Sequence, residues 1–133
     1  MVNLVVSGKR KRSIARATIK SGTGKITINK SSYEFLPMLK RLMIAEPIEI
    51  TKEKLGSVDY DIAVLVRGGG VNSQAEAVRL AIAKALVKAT GSNELKKTFL
   101  AYDRSLLVAD VRRKEAYKPG DSKARAKRQK SYR

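Results

Sequence analysis

A strand, a glycine turn and a long helix, adjacent along the chain, constrain the fold more than any other feature. Residues 61–67 contain five consecutive apolar side chains, which predicts a strand covered on both faces in the middle of a sheet. Gly68 to Gly70 ends that strand, and Ser73 and Glu76 have the spacing of a capping box, which predicts a helix N-terminus at Ser73. The helix is predicted to end at Gly91. Its apolar stripe consists of Ala75, Val78, Ile82, Ala85, Leu86 and Ala89.

The N-terminal third has the pattern of β structure. Residues 2–6 form a short β-rich run, and residues 8–12 read as a concentrated basic turn. Residues 13–20 alternate an apolar face with a polar, basic one, which predicts a strand. A turn at 21–24 leads to a second alternating run at 25–29, so a β-hairpin is predicted here.

Two further helices are predicted. Apolar residues recur at helical spacing between residues 32 and 45, and Pro47 is predicted to mark the end of that helix. These apolar residues are Leu36, Leu39, Leu42 and Met43. A shorter helix, starting at residue 93 or 94 and ending at 101, places Leu95 and Phe99 on one side. The strand at 61–67, the glycine turn and the long helix after it form half of a β-α unit.

The charge of the chain is concentrated at its two ends. The 133 residues include 29 basic and 12 acidic side chains, a formal charge of +17. Residues 1–20 hold six basic residues and no acidic residue, and residues 104–133 hold 11 basic and 3 acidic residues. Residues 21–103 are nearly balanced, with 12 basic and 9 acidic residues. We therefore expect a globular domain over residues 1–103 and an extended basic tail over residues 104–133. Because like charges at this density repel until phosphates neutralise them, we predict salt-dependent binding to a nucleic acid.

The residue types that are missing exclude most catalytic and metal chemistry. The chain has no Cys and no His, so zinc ribbons, thiolate nucleophiles and Ser-His-Asp triads are unavailable. No apolar run is long enough for a signal-peptide core or a bilayer span. We expect a soluble, cytoplasmic protein with no cofactor and no enzymatic activity.

Two glycine-rich turns resemble phosphate-binding loops, but each lacks a required residue. Ser73 stands where the third glycine of a dinucleotide-binding turn would be, and Ile26 follows Lys25 where a P-loop needs Ser or Thr. Asp59 and Asp61 share a strand face and could be imagined as a metal pair, although solvated carboxylates are the favoured interpretation. We therefore interpret the triple glycine as a tight strand-to-helix turn, with a polynucleotide phosphate near its amides as a secondary interpretation.

Acidic residues near the basic end have a structural interpretation. Asp103, Asp110 and Glu115 lie among arginines and are predicted to orient them. Two other classes of protein stay open at this point. A DNA-architectural protein would share the charge, and a small phosphotransferase would share the broad fold type, although the incomplete loops argue against it.

Several motifs spread along the chain are specific only when taken together. They are the segments at 8–11 and 14–17, the run at 24–29, the turn at 66–70, Gln74, Ala75, Arg79, Ile82, Ala83, Ala85, Leu86, and residues 110–114 with the Arg-rich end. With these motifs the chain resembles the universal small-subunit ribosomal protein nine family over essentially its whole length. The ending, Ser131-Tyr132-Arg133 in place of the bacterial Ser-Lys-Arg, is similar to the archaeal and eukaryotic form.

This resemblance implies a fold and a place in the cell. The fold would be a two-layer α+β fold, like the second domain of ribosomal protein five, with a mixed β-sheet, helices packed on one side and a long extended C-terminal tail. The protein would be a structural part of the small-subunit head, bound to the 3′ domain of the ribosomal RNA and next to ribosomal proteins ten and fourteen. In that family the tail contacts the anticodon stem-loop of the tRNA in the peptidyl site.

Two sets of binding residues are predicted on this basis. The ribosomal RNA set combines basic strand and turn residues with the tail: Lys9, Arg10, Lys11, Arg12, Arg16, Arg67, Gly69, Gly70, Arg79, Arg112, Arg113, Lys114, Lys123, Arg125, Lys127 and Arg128. The resemblance alone implies the tRNA set, which is Lys130, Ser131, Tyr132 and Arg133.

Overall fold

A computed structural model describes residues 3–117 of the chain, together with residues 124 and 132. Five strands form one mixed sheet, and three α-helices pack on one side of it, which confirms the two-layer α+β fold. The strands are β1 (Leu4–Arg10), β2 (Ser13–Ser21), β3 (Ile26–Ile28), β4 (Ser31–Ser32) and β5 (Tyr60–Arg67). The helices are α1 (Met38–Leu55), α2 (Val71–Thr90) and α3 (Asn93–Tyr102), with 3₁₀ turns at Tyr33–Phe35 and Arg104–Leu106.

The strand order of the sheet is β1-β2-β5-β3-β4. The predicted hairpin between residues 13–20 and 25–29 is wrong, because β5 lies between these strands, antiparallel to β2 and parallel to β3. Asp61, at the start of β5, accepts the backbone N–H groups of Thr23 and Lys25, each at 2.9 Å. The turn at 21–24, which was predicted to connect a hairpin, is therefore hydrogen-bonded to β5, a strand that comes much later in the sequence.

The first two strands form the hairpin of this fold. The predicted strand at 2–6 is confirmed at residues 4–6, and β1 continues to Arg10. The predicted basic turn at 8–12 is wrong for its first three residues, since only Lys11 and Arg12 lie in the turn. Lys11 has a φ of 52°, the left-handed conformation that two-residue hairpin loops favour.

The long helix α2 packs against β1, β2 and β5 and buries its apolar stripe there. It begins at Val71 with Gly70 as its N-cap residue, so the predicted start at Ser73 is wrong. Ser73 is instead the N3 residue, and its hydroxyl oxygen accepts the Gly70 N–H at 3.1 Å. The predicted end is confirmed, because Gly91 adopts a φ of 64° directly after the helix.

The first helix begins later and ends later than predicted. Pro37 is its N-cap residue, and the helix continues through Pro47 to Leu55, so the predicted end at Pro47 is wrong. Proline inside a helix removes one hydrogen bond, which costs about 3 kcal/mol. Burial of the Pro47 ring offsets part of this cost, and the Thr51 hydroxyl donates to the Pro47 carbonyl oxygen at 2.7 Å. No helix among the described residues is long and apolar enough to cross a membrane.

The helices cover only one face of the sheet. Ile62, Val64 and Val66 of β5 are buried beneath them, whereas Leu65 is 53% exposed on the other side. The prediction that β5 is covered on both faces is wrong, because within residues 3–117 no element packs on the far side. We call this far side the open sheet face. It presents Val5, Ser7, Lys9, Ile14, Arg16, Thr18, Ala63, Leu65 and Arg67.

The third helix has the predicted position, and it builds a second, smaller core. Leu95 and Phe99 are fully buried, as their spacing indicates. They pack with Ala83 of α2 and with Leu106 of the following 3₁₀ turn. The chain therefore stays packed on the body for several residues after α3 ends.

Candidate nucleic-acid interface

Two serine hydroxyls hold the hairpin turn at 11–12 against the glycine turn before α2. Ser13 Oγ donates to the Gly68 carbonyl oxygen at 2.9 Å and lies 2.8 Å from Ser73 Oγ. Gly68 and Gly69 have φ values of 76° and 67°, which non-glycine residues rarely adopt. A Cβ atom on Gly69 would also lie 2.1 Å from Ser13 Oγ. The triple glycine is thus a tight strand-to-helix turn, as interpreted from the sequence, and it places the hairpin turn beside the N-terminus of α2.

A cleft of about 750 Å³ lies between the hairpin turn, the N-terminus of α2 and residues 112–117. We call it the basic cleft. Its lining includes Gly69, Gly70 and Ser73 together with six cations and one carboxylate. The charged residues are Arg10, Lys11, Arg12, Arg112, Arg113, Lys114 and Glu115. The fold therefore brings together, from three distant parts of the sequence, eight of the residues predicted to contact ribosomal RNA.

Asp110 joins two arginines at the edge of the basic cleft. Arg112 donates to Asp110 Oδ2 through Nε at 2.9 Å and through Nη2 at 2.7 Å. Arg10 Nη1 lies 3.0 Å from the same oxygen, and its Nε pairs with Glu76. The bonds from Arg112, with a smaller contribution from Arg10, hold the pKa of Asp110 well below its usual range. The prediction that Asp110 orients arginines is confirmed. The net positive charge of the basic cleft therefore comes mainly from the cations that Asp110 does not pair, which are Lys11, Arg12, Arg113 and Lys114.

Sequence reasoning missed an aromatic residue in this cleft. Lys114 Nζ lies 2.9 Å from the Tyr117 hydroxyl and 4.7 Å from the centre of its ring. The hydrogen bond from Lys114 lowers the pKa of Tyr117. Exposed aromatic rings among cations are typical of surfaces on which bases stack. The available signal was a tyrosine in a basic segment that has no large aliphatic residue after Val111.

The open sheet face carries a second group of predicted residues. Lys9, Arg16 and Arg67 lie on three adjacent strands, with Ile14 between Lys9 and Arg67 and with Leu65 opposite Arg16. None of the ion pairs between described residues involves these three cations. Lys9 and Arg67 lie at the end of the sheet next to the hairpin turn and the glycine turn, so this group borders the basic cleft.

Arg79 lies elsewhere, in a cluster that joins three helical segments. Its Nη2 atom lies 2.5 Å from Glu46 Oε2 of α1, and its Nη1 atom lies 3.1 Å from Asp103 Oδ2. Hydrogen bonds from Ser105 lower the pKa of Asp103, and the hydrogen bond from Arg79 makes a smaller contribution in the same direction. The prediction that Asp103 orients an arginine is confirmed. An RNA contact by Arg79 stays a prediction, and it would require these ion pairs to open.

The two acidic residues imagined as a metal pair have other partners. Backbone hydrogen bonds from Lys25 and Thr23 lower the pKa of Asp61. Asp59 accepts a hydrogen bond from the Ser57 hydroxyl at 3.0 Å. Among the described residues, no group of three or more acidic side chains could hold a metal ion.

Most of the predicted tail residues lie outside the described part of the chain. Tyr132 is described, and its side chain is exposed. The assignments of the others stay predictions. These residues are Lys123, Arg125, Lys127, Arg128, Lys130, Ser131 and Arg133.

Comparison with known proteins identifies the family. The model of the ribosomal protein S9/S16 family matches residues 8–133. The chain is 51% identical over 129 residues to small ribosomal subunit protein uS9 of Methanococcus maripaludis strain C7, with 95% of each chain covered. The chain belongs to the ribosomal protein S9/S16 family. Proteins of the same name from Methanothrix thermoacetophila and Thermoplasma volcanium are 49% and 47% identical, with 96% and 98% of each chain covered.

Membership in the ribosomal protein S9/S16 family establishes the broad role of the protein. It is a structural component of the small ribosomal subunit and belongs to the cytoplasmic ribosome. These relatives are archaeal, in agreement with the ending noted in the sequence. They are named as ribosomal proteins and not as enzymes, in agreement with the prediction of no enzymatic activity. The DNA-architectural and phosphotransferase alternatives lose their basis.

Proposed function

We propose that the protein binds RNA of the small-subunit head through the basic cleft and the open sheet face. The observation that carries this proposal is the convergence of six cations around the N-terminus of α2. Lys11, Arg12 and Arg113 take part in none of the ion pairs between described residues, so their charge is available to phosphates. Helix N-termini also favour anions, since their N–H groups point outward.

The open sheet face extends the proposed RNA surface around the edge of the domain. Arg16 and Arg67 supply charge there, and Ile14 and Leu65 lie between them. Long cationic side chains can pair with phosphates while the aliphatic side chains pack against sugars and unstacked bases. The two surfaces together would let one RNA fold wrap the hairpin turn from both sides.

The tail and the protein neighbours complete the proposal. We infer from the resemblance that Lys130 and Arg133 contact phosphates of the anticodon stem-loop in the peptidyl site, with Ser131 and Tyr132 beside them. The exposed ring of Tyr132 supports this inference, because it is available for stacking. Ribosomal proteins ten and fourteen would be the neighbours in the head of the subunit.

A competition titration tests RNA binding by the isolated protein. The chain is mixed with a labelled fragment of the 3′ domain of small-subunit RNA at moderate salt, and unlabelled duplex DNA of equal length is added. We expect the DNA to compete at least about tenfold less well than the unlabelled RNA fragment, because folded RNA offers 2′-hydroxyls and unstacked bases. An unstructured RNA of equal length controls for net charge. Equal competition by DNA would overturn the proposal.

A tail variant tests the contact with tRNA. Replacing Lys130 and Arg133 by Gln should leave subunit assembly intact and speed tRNA dissociation from the peptidyl site by roughly tenfold, because two charge-assisted phosphate contacts are lost. The same replacement at Lys52 and Lys54, at the far end of α1, is the control for charge. Filter binding of tRNA to purified small subunits measures the rate. Unchanged dissociation would contradict the assignment of the tail.

A further inference from the structure

The start of α1 exposes an apolar stripe that nothing in the described structure covers. Phe35, Met38, Leu39 and Leu42 are 85%, 67%, 79% and 49% exposed. Met38, Leu39 and Leu42 lie in the first turns of α1, and Phe35 lies in the 3₁₀ turn that precedes the helix. Exposed apolar residues on one side of a helix are typical of helices that insert into a groove. We call them the α1 stripe. Single exposed apolar residues are normal, but four adjacent ones typically mark a binding surface.

The α1 stripe lies on the wrong side of its helix to join the core. Each residue turns an α-helix by about 100°, so Met38, Leu39 and Leu42 share one side. Buried Ile44, Ile48 and Thr51 lie on the side roughly 180° away. The core therefore uses the opposite face of the same helix, and the body of the protein cannot cover the α1 stripe without unpacking.

The charges beside the stripe indicate what kind of surface could cover it. Arg41 is exposed and Lys40 is half-buried, and neither takes part in an ion pair between described residues. Exposed Glu34 lies at the other end, beside Phe35, so the cations flank the helical part of the stripe. These cations would repel a basic segment such as the chain's own residues 118–133. RNA would accept the two cations, and its sugars and unstacked bases can contact single aliphatic side chains. It offers no continuous apolar groove for several adjacent ones, as a folded protein does.

We propose that the α1 stripe inserts into an apolar groove of a neighbouring protein of the small subunit. The partner is predicted to place at least one carboxylate beside Arg41. An interface of this kind has an apolar centre and a polar rim, which matches the arrangement on α1. The proposal needs only membership in the small subunit, so it stands or falls independently of the RNA and tRNA contacts proposed above.

Photo-crosslinking in assembled subunits tests this proposal. A photoreactive phenylalanine analogue replaces Met38 in cells whose only member of the family is this chain, and small subunits are purified and irradiated. We expect a crosslink to a peptide of another subunit protein that contains Asp or Glu next to apolar residues. A crosslink to ribosomal RNA, a crosslink to a second copy of this chain, or no crosslink would overturn the proposal.

A second substitution shows whether the stripe itself makes the contact. Leu39→Glu in the same chain should lower the crosslink yield by at least about tenfold, because a charge replaces an anchor residue. The first turn of a helix tolerates Glu well, so the fold should be unaffected. Leu100→Glu on α3 changes another exposed leucine and should leave the yield unchanged. Presence of each variant in the subunit peak of a sucrose gradient separates loss of contact from loss of assembly, and equal yields for both variants would contradict the proposal.

Discussion

Replacing Gly8 by Val is expected to lower the free energy of unfolding by about 3 kcal/mol. A Cβ atom at Gly8 would lie 2.4 Å from the Ala77 carbonyl oxygen and 2.8 Å from the Ala81 nitrogen. Both atoms belong to the backbone of α2, so the helix would have to move away from β1 as a unit. Valine favours strands more than glycine does, so its intrinsic preference alone would not lower the stability. The expected loss of stability therefore comes from the clash with α2.

Ser7→Val is the matched control for this prediction. Ser7 is the preceding residue of β1, but it points to the open sheet face and is exposed. The control should change stability by no more than about 0.5 kcal/mol. Thermal unfolding followed by circular dichroism measures both variants, and a loss of about 3 kcal/mol should lower the melting temperature by roughly 10 °C. Equal melting temperatures for the two variants would show that α2 does not pack closely over Gly8.

Elements with a strong local pattern could be predicted from the sequence. The alternation in β2 and the spacing of Leu95 and Phe99 in α3 are properties of residues close in the chain, and the structure confirms both. The insertion of β5 between β2 and β3 depends on contacts between distant residues. The bonds from Thr23 and Lys25 to Asp61 hold that arrangement, and nothing near residue 23 indicates them.

Pro47 shows a different reason for an error. Its missing N–H predicts a helix end, which is correct for most sequences. In this fold the Pro47 ring is buried in the core, so its apolar contacts compensate for the lost bond. Leu39 and Leu42, whose helical spacing predicted this helix, stay exposed, and Ile44, Ile48 and Thr51 form its buried face.

Cleft residues could be predicted from the sequence where a high local density of basic residues was sufficient evidence. Lys11, Arg12 and Arg113 line the basic cleft as expected of residues in dense basic segments. Arg10 and Arg79 have the same charge but are paired with carboxylates. Their partners lie at least 24 residues away in the sequence, and only the packing of the helices brings them into contact.

Removing four charges from the basic cleft should weaken binding of the 3′-domain RNA fragment by about a thousandfold at 0.1 M salt. The variant replaces Lys11, Arg12, Arg113 and Lys114 by Gln. Each phosphate contact contributes between about −0.7 and −0.9 to the slope of log affinity against log salt, so the slope should become less negative by about 3. Near 1 M salt, counterion release no longer favours binding, so the two proteins should bind the RNA about equally. A slope difference of 3 over the tenfold range down to 0.1 M salt then gives the thousandfold difference in affinity.

A matched variant separates the site from the net charge. Lys54, Lys88, Lys96 and Lys97 lie on the three helices, and none of them lines the basic cleft. Their replacement by Gln removes the same charge, so both variants retain the same long-range attraction to a polyanion. Fluorescence anisotropy titrations at several salt concentrations should give the wild-type slope for this control and the reduced slope for the cleft variant. Equal slopes for the two variants would mean that the chain binds RNA through its overall charge, and the basic cleft would then lose its assignment as the contact surface.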